Sequence, residues 1–507
     1  MAQTLLDQLH HEILLARQRV YAVREPTPLE PVDIGADAEV WVKREDIPPI
    51  HAYKWRGAYN KMASLPAEER SRGVVCASAG NHAQGVAIAA KELGCHATIF
   101  MPEPTPLMKR QAVALHGGSN VTVELTGDTY DEASDAAKAY AQKNNAPFVH
   151  PYDDLVTMGG QGTIADEVVT STVGPFDVAY LQIGGGGMAA AVGAWLKKMT
   201  PGIKIVGVEG EGQASMKAAI EHGGPVRLDD LDIFCDGTAV RRAGDLTYEL
   251  CKDVVDEFIT VSNEEVCNAI RLFWEDRRRI VEPAGAMGIA GMLKHRDQLR
   301  GQRVLGVMCG ANMDFAQLAV IAAEAGIGGQ MRKHIRFEIG EKPGTMLSLI
   351  DNALAGCNIV DFQYGKTNET TGMPVIGFDA PPEVIAQVHE HCQSAGIPYQ
   401  DITAHEDVDF RIVNYDPKLF KRPLIIRYRF PERPGALHEF LQRIQGLANL
   451  CYFNYLYTGE RIGRALVGLE FGSDADRQAM LDRLQSDPKL RHSYREVSQE
   501  VLERMLS

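Results

Sequence analysis

No two of the nine cysteines form a CxxC pair, and they are odd in number and scattered. That argues against a zinc site or a disulfide framework; reduced thiols in a cytosolic protein fit better. An excess of basic charge is also missing. The net charge of -15 speaks against nucleic acid or an anionic membrane as the main partner, because either demands a basic face. Arg277–Arg279 and Arg241–Arg242 are local exceptions beside acidic residues, and they read as solvated surface. Nor is there a long apolar run. The longest uncharged stretch, Val178 to Leu196, holds four consecutive glycines, so a spanning helix is not expected. The N-terminal MAQTLLDQLHHEILLARQRV reads as an amphipathic helix interrupted by Asp7 and Glu12, not as a targeting peptide. What remains is the composition of a soluble globular chain whose 507 residues suffice for roughly three domains.

From about residue 73 to 325, short β-branched runs alternate with alanine-rich ones: GVVCAS then AQGVAIAAKELG, DVAYLQI then GMAAAVGAWLKKM. HATIFMP leads into TPLMKRQAVALHGG, and RVLGVMC into ANMDFAQLAVIAAEAG. Gly94 and Gly117 stand where helices should stop, and Pro106 where one should start. Strand–helix alternation predicts open, largely parallel α/β sheets, whose ligands bind in loops after the carboxyl ends of strands. Beyond residue 330 an internal repeat appears. IRFEIGEKPG (335–344) matches IRYRFPERPG (426–435) at an offset of 91, and twelve of 44 ungapped positions are identical. These include Pro343/Pro434, Gly344/Gly435, Asn358/Asn449, Phe362/Phe453, Tyr364/Tyr455 and Gly377/Gly468. Each copy predicts a β-α-β-β-α-β, ferredoxin-like α+β unit built for binding or assembly.

Three loops and one lysine could carry chemistry. HAYKWRGAYN (51–60) sets Lys54 between Tyr53 and Trp55 at the start of a helix. The lysine is either a snorkelling side chain or a partly desolvated amine with a lowered pKa. Gly184, Gly185, Gly186 and Gly187, followed by Met188, lie between a buried strand and its helix. Glycines there let backbone N–H groups converge at a helix N-terminus, which makes a phosphate cradle. Ser78, Ala79, Gly80, Asn81 and His82 form a second strand-to-helix loop, suited to a carboxylate and otherwise a plain helix cap. Cys309, in CGAN, is a small, weakly polar residue at a third strand end. An amine, a phosphate cradle, a carboxylate pocket and a neutral partner together suit pyridoxal 5'-phosphate and an amino acid.

VKREDIPPIHAYKWRGAYN, SAGNHAQG, GGGGM, DGTAVRRAG, VEPAGA and CGAN follow one another as in the pyridoxal-phosphate-dependent threonine dehydratases of the tryptophan-synthase-β fold type (fold type II). With the paired repeats, the chain resembles the biosynthetic branch, which opens the isoleucine pathway. The resemblance implies a catalytic part over 1–325, with a smaller subdomain at roughly 46–148, and ACT-like regulatory copies at 333–410 and 423–500. It makes Lys54 the Schiff-base lysine, with Tyr53 beside the ring, Asn81 at the cofactor's phenolic oxygen, Gly184–Gly187 and Met188 on its phosphate, and Cys309 at its pyridine nitrogen. The substrate would be L-threonine, or L-serine, with its carboxylate on Ser78–His82. The products would be 2-oxobutanoate and ammonia. Isoleucine would inhibit, valine would oppose it, and the assembly would be a cytoplasmic homotetramer.

Departures and rivals follow from the same residues. Ala52, Tyr53 and Trp55 replace the usual Ser, Phe and Leu or Ile, which could narrow the pocket or shift substrate preference. A serine racemase would carry Ser where Ala79 stands, and it would lack the repeats, as would a catabolic serine or threonine dehydratase. A decayed amino-acid sensor would have lost Lys54, Asn81 or the glycines. Relatives hold a divalent metal with acidic residues after the strand that ends in Glu209; here Gln213, Ala214 and Ser215 follow, so no tight metal site is expected.

Overall fold

The computed structural model describes residues 2–431, 435–456, 462–487 and 494–506. The chain divides into two compact units, Met1–Gly328 and Gly329–Ser507. In the first, a six-stranded sheet runs in the order Leu29–Pro31, Glu39–Arg44, Arg303–Met308, Val178–Gln182, Lys204–Gly210, Glu257–Val261. Only the first strand is antiparallel. A separate parallel sheet joins Val74–Ala77, Ala97–Met101 and Val121–Leu125. Val178–Gln182 and Val74–Ala77 are buried at every residue. Strands covered on both faces need continuous apolar side chains, so their sequences do not alternate. The N-terminal helix Ala2–Val20 buries Leu9, Ile13, Ala16 and Val20, which recur at helical spacing.

The helix stops follow sequence closely, with one shift. Gly94 caps its helix at φ +62°. Gly117, by contrast, is the last residue of helix Leu107–Gly117, and Gly118 at φ +56° does the capping. A Cβ at Gly117 would lie 2.3 Å from Val121 Cγ1, so packing rather than backbone conformation requires glycine there.

The second unit is one eight-stranded antiparallel sheet made by both repeat copies, with β-α-β-β-α-β order in each. They join where Asn358–Gly365 pairs with Asn449–Leu456. The register sets Phe362 against Tyr455 and Tyr364 against Phe453. Repeat-identical aromatics therefore meet across a local twofold, and the Phe362 and Phe453 rings lie 4.6 Å apart. A bulge at Ile359/Asp361 recurs at Leu450/Tyr452. The repeated Gly377 and Gly468 face those bulges, where a Cβ would strike Asp361 or Tyr452. Pro434 lies outside the described residues.

Candidate active site

Residues 51–53 are stitched to the strand-end loop 309–311 before the helix Lys54–Ser64 begins. The Tyr53 N–H donates to Cys309 O at 3.2 Å, and the Ala311 N–H to His51 O at 2.9 Å. Lys54 Nζ donates to Pro151 O at 3.0 Å and stands 5.4 Å from the centre of the Tyr53 ring. Burial lowers its pKa to about 8, against the opposing pull of Cys309 and Glu282. The amine is half-buried with its charge disfavoured, not a snorkelling group kept in water. The aromatic sandwich suggested by the sequence is not formed in space. Trp55 is buried in the core around the small sheet, with the Arg24 and Arg56 guanidinium groups over its ring. It leaves Tyr53 as the lysine's aromatic neighbour. Arg56 pins this helix from within, bridging buried Glu45 and Glu167, which Lys43 also contacts.

The glycine loop follows strand Val178–Gln182 and opens helix Gly187–Met199. Its carbonyls are held from behind: Thr247 Oγ1 donates to Gly185 O at 2.6 Å, and Cys251 Sγ to Gly186 O at 3.7 Å. Asp153 in turn accepts the N–H groups of Asp245, Leu246 and Thr247, fixing the supporting helix. Among the described residues no acceptor takes the N–H groups of Gly184, Gly185 or Gly186. An oxyanion cradle requires such free donors. A Cβ at Gly185 would lie 2.4 Å from the Tyr152 ring, one at Gly184 2.8 Å from Thr238 O, and one at Gly187 2.8 Å from Tyr152 O. Gly186 sits at φ +94°. Met188, the second residue of helix Gly187–Met199, is buried.

Ser78, Ala79 and Gly80 follow strand Val74–Ala77, and Asn81 and His82 open helix Asn81–Leu93. Ser78 Oγ already accepts the Gly80 N–H at 3.2 Å, so two of the five expected carboxylate partners satisfy each other here. The His82 ring turns away to Val149 O at 2.9 Å, and burial lowers its pKa to about 3. It contributes backbone only.

Cys309 is buried, and burial pushes its thiol well up, so it stays neutral. Sequence reasoning passed over Glu282, Asn312, Tyr152 and Thr247. Glu282 lies in VEPAGA, where a lone carboxylate before Pro283 reads as an ordinary helix start. Glu209 accepts the Met216 and Lys217 N–H groups at 2.8 Å each, and burial raises it to about 7. It serves the helix Ser215–His222 as an anchor. A desolvated amine, free N–H groups at a glycine turn and a neutral thiol are the donor set that an aldehyde-, phosphate- and pyridine-bearing cofactor needs, so the residues fit pyridoxal phosphate.

The profile of the family described as "Pyridoxal-phosphate dependent enzyme" matches residues 21–310, and that of the "C-terminal regulatory domain of Threonine dehydratase" matches 421–503. L-threonine dehydratase biosynthetic IlvA of Burkholderia multivorans is 36% identical, covering 89% of this chain and 91% of its own. The Escherichia coli counterpart is 34% identical over 93% of each chain. Among solved structures, the processed threonine deaminase isoform 2 of Solanum lycopersicum aligns with a TM-score of 0.60 at 36% identity, over 63% of this chain and 93% of that one. Maize serine racemase aligns at 0.57 and 28% identity, over 62% and 96%. No described helix is long and apolar enough to cross a membrane.

Proposed function

This chain belongs to the pyridoxal-phosphate-dependent enzymes, in the biosynthetic threonine dehydratase branch, and from that premise we propose which residues act and what controls them. The reaction is the conversion of L-threonine to 2-oxobutanoate and ammonia, the first committed step towards isoleucine. The cofactor, when bound, supplies an aldehyde that captures amines and a conjugated ring that accepts electron density from the substrate Cα. Lys54 would hold it through Nζ, the N–H groups of Gly184–Gly187 with Met188 its phosphate, Asn81 its ring oxygen, Cys309 its pyridine nitrogen, and Tyr53 its face.

Residues 1–325, with the subdomain at roughly 46–148, do the chemistry; copies 333–410 and 423–500 regulate it. With the cofactor bound, Lys54 Nζ would take the Cα proton of threonine, as an amine whose pKa burial lowers to about 8 can. The Cys309 thiol, kept neutral by burial, would neither give nor take a proton at the pyridine nitrogen. The β-hydroxyl would leave as water, the proton lost from Cα balancing the one it takes up, and the enamine released would be hydrolysed to 2-oxobutanoate and ammonia. The loop Ser78–His82 orients the carboxylate. Ala79 offers no hydroxyl to return a proton from the opposite face, which favours elimination over racemisation. Serine, lacking only the γ-methyl, reacts by the same route. The half-buried amine of Lys54, held on Pro151 O and within electrostatic reach of a neutral thiol, is the observation that carries this reading.

The effector we assign is isoleucine, in a cavity of about 250 Å³ between the two copies. Ile350, Leu354, Leu437 and Phe453 would enclose its side chain, and Asp351, paired with His438 at 2.6 Å, would meet its ammonium. Valine, one methylene shorter, competes there and opposes inhibition. We place the enzyme in the cytoplasm, on nine unpaired cysteines, and in a homotetramer, on large apolar side chains left bare, such as Leu115 and Phe315. The test is the initial rate of 2-oxobutanoate formation against threonine concentration, with and without isoleucine. A sigmoidal curve displaced to higher threonine by isoleucine is expected. Turnover indifferent to isoleucine would remove it as effector and leave the dehydratase standing.

A further inference from the structure

Glu282 stands at the start of helix Pro283–Lys294, yet its side chain does not cap that helix. It turns instead into the site. Oε1 accepts from Asn81 Nδ2 at 2.9 Å, and Oε2 from the Asn312 N–H at 2.9 Å. The residue is 1% exposed. Two glycines make its space: a Cβ at Gly310 would lie 2.4 Å from Oε1, and one at Gly237 3.2 Å from it. On the other side, Asn312 Nδ2 donates to Asn81 Oδ1 at 2.8 Å. The two ends of the Asn81 amide therefore face different partners. The Asn312 backbone can only donate, so Oε2 accepts, and because Asn81 Oδ1 already accepts from the Asn312 amide, the N–H₂ end of Asn81 is the one left to face the carboxyl.

We propose that Glu282 is a positioning residue for the cofactor: by accepting from Asn81 it makes that amide offer its second N–H, not its oxygen, to the cofactor's ring oxygen. The proposal rests on the reading that Asn81 meets that oxygen. Its chemistry is specific. A ring oxygen that bears negative charge wants a donor, and an amide turned the other way would set two acceptors against each other. A carboxylate suits this task better than an amide, because both of its oxygens accept. A glutamine here would press an N–H₂ group against one of the two donors.

The groups that face Glu282 are Lys54, Tyr53, Cys309, Asp236 and Lys109; the last two pair with each other, and none of the five hydrogen-bonds the carboxyl among the described residues. Burial, reinforced by Asp236, raises Glu282 to about 8, while the Asn312 and Asn81 donors pull the other way. Below that pH one oxygen carries a proton and the grip on Asn81 weakens. Above it, Glu282 is a double acceptor and the amide is fixed.

The experiment is a pH titration of the absorption spectrum of the holoenzyme, with cofactor affinity measured alongside. In the wild type the bound cofactor's spectrum should change with a transition near pH 8. Glu282→Gln should remove that transition and weaken pyridoxal phosphate binding by about tenfold. The same substitution in an Asn81→Ala background should change neither any further. A Glu282→Gln holoenzyme with the wild-type pH profile and affinity overturns the proposal, as does an undiminished loss in the Asn81→Ala background. Should Glu282→Gln fail to fold, Asn81→Ala decides: loss of the transition supports the proposal, and its persistence overturns it. A wild-type chain that forms no visible band with pyridoxal phosphate would sink the reading underneath as well.

Discussion

Two loops in the catalytic unit share one plan and differ in how they are built. Both Gly184–Gly187 and Ser78–His82 link a fully buried parallel strand to the N-terminus of a thirteen-residue helix. Around the first, Tyr152, Thr238, Met216 and Thr247 press on every glycine, so that any added Cβ collides. Around Gly80, nothing lies within 4 Å of where a Cβ would go. One loop is packed to a fixed shape from behind. The other keeps open space in front, as a loop should that admits and releases a substrate on every turnover. A retained group is served by rigidity, a transient one by room.

Substitutions can break or sharpen that contrast. Gly185→Ala should have the larger effect, because its Cβ meets the Tyr152 ring at 2.4 Å and displaces the N–H donors. We expect a loss of cofactor affinity on the order of a hundredfold, about 2.7 kcal/mol, measured by titrating the apoenzyme with pyridoxal phosphate. Next is the pH dependence of the amine that both loops serve. Lys54 has its pKa lowered from 10.5 to about 8 by burial, so its reactive, uncharged form is lost as pH falls below 8. Capture of pyridoxal phosphate by the apoenzyme, followed by stopped-flow absorbance, should rise about tenfold per pH unit up to pH 8 and then level off. Gly80→Ala should have the smallest effect. A change in threonine KM of less than about threefold, under ~0.7 kcal/mol, is expected with cofactor affinity unaltered. A larger effect would mean that the open loop is as constrained as the packed one.

Much of this was legible in the sequence, for physical reasons that differ by region. Strands buried on both faces announce themselves as unbroken apolar runs, and the repeat announced the second unit. What the repeat could not show is that the copies share one sheet, since pairing across a join depends on which edges are left free. Lys54 and the glycines stood out because few structural roles demand them. Trp55 was misplaced because neighbouring residues at a helix start point about 100° apart, so adjacency in sequence does not make a sandwich. Glu282 was hidden for a related reason. Its partners are 201 and 30 residues away, and only the folded chain brings two strand-end loops together with the start of helix Pro283–Lys294.

The central claim is that one amine, Lys54 Nζ, both holds the cofactor and takes the Cα proton. It is tested most directly by replacing Lys54 with Ala and following, in the same sample, the visible absorbance of added pyridoxal phosphate and the formation of 2-oxobutanoate from L-threonine. The account predicts that the lysine-linked band is lost and that turnover falls by at least about a thousandfold, as removal of a base and its covalent anchor together requires. A Lys54→Ala protein that kept both its colour and its turnover would contradict it.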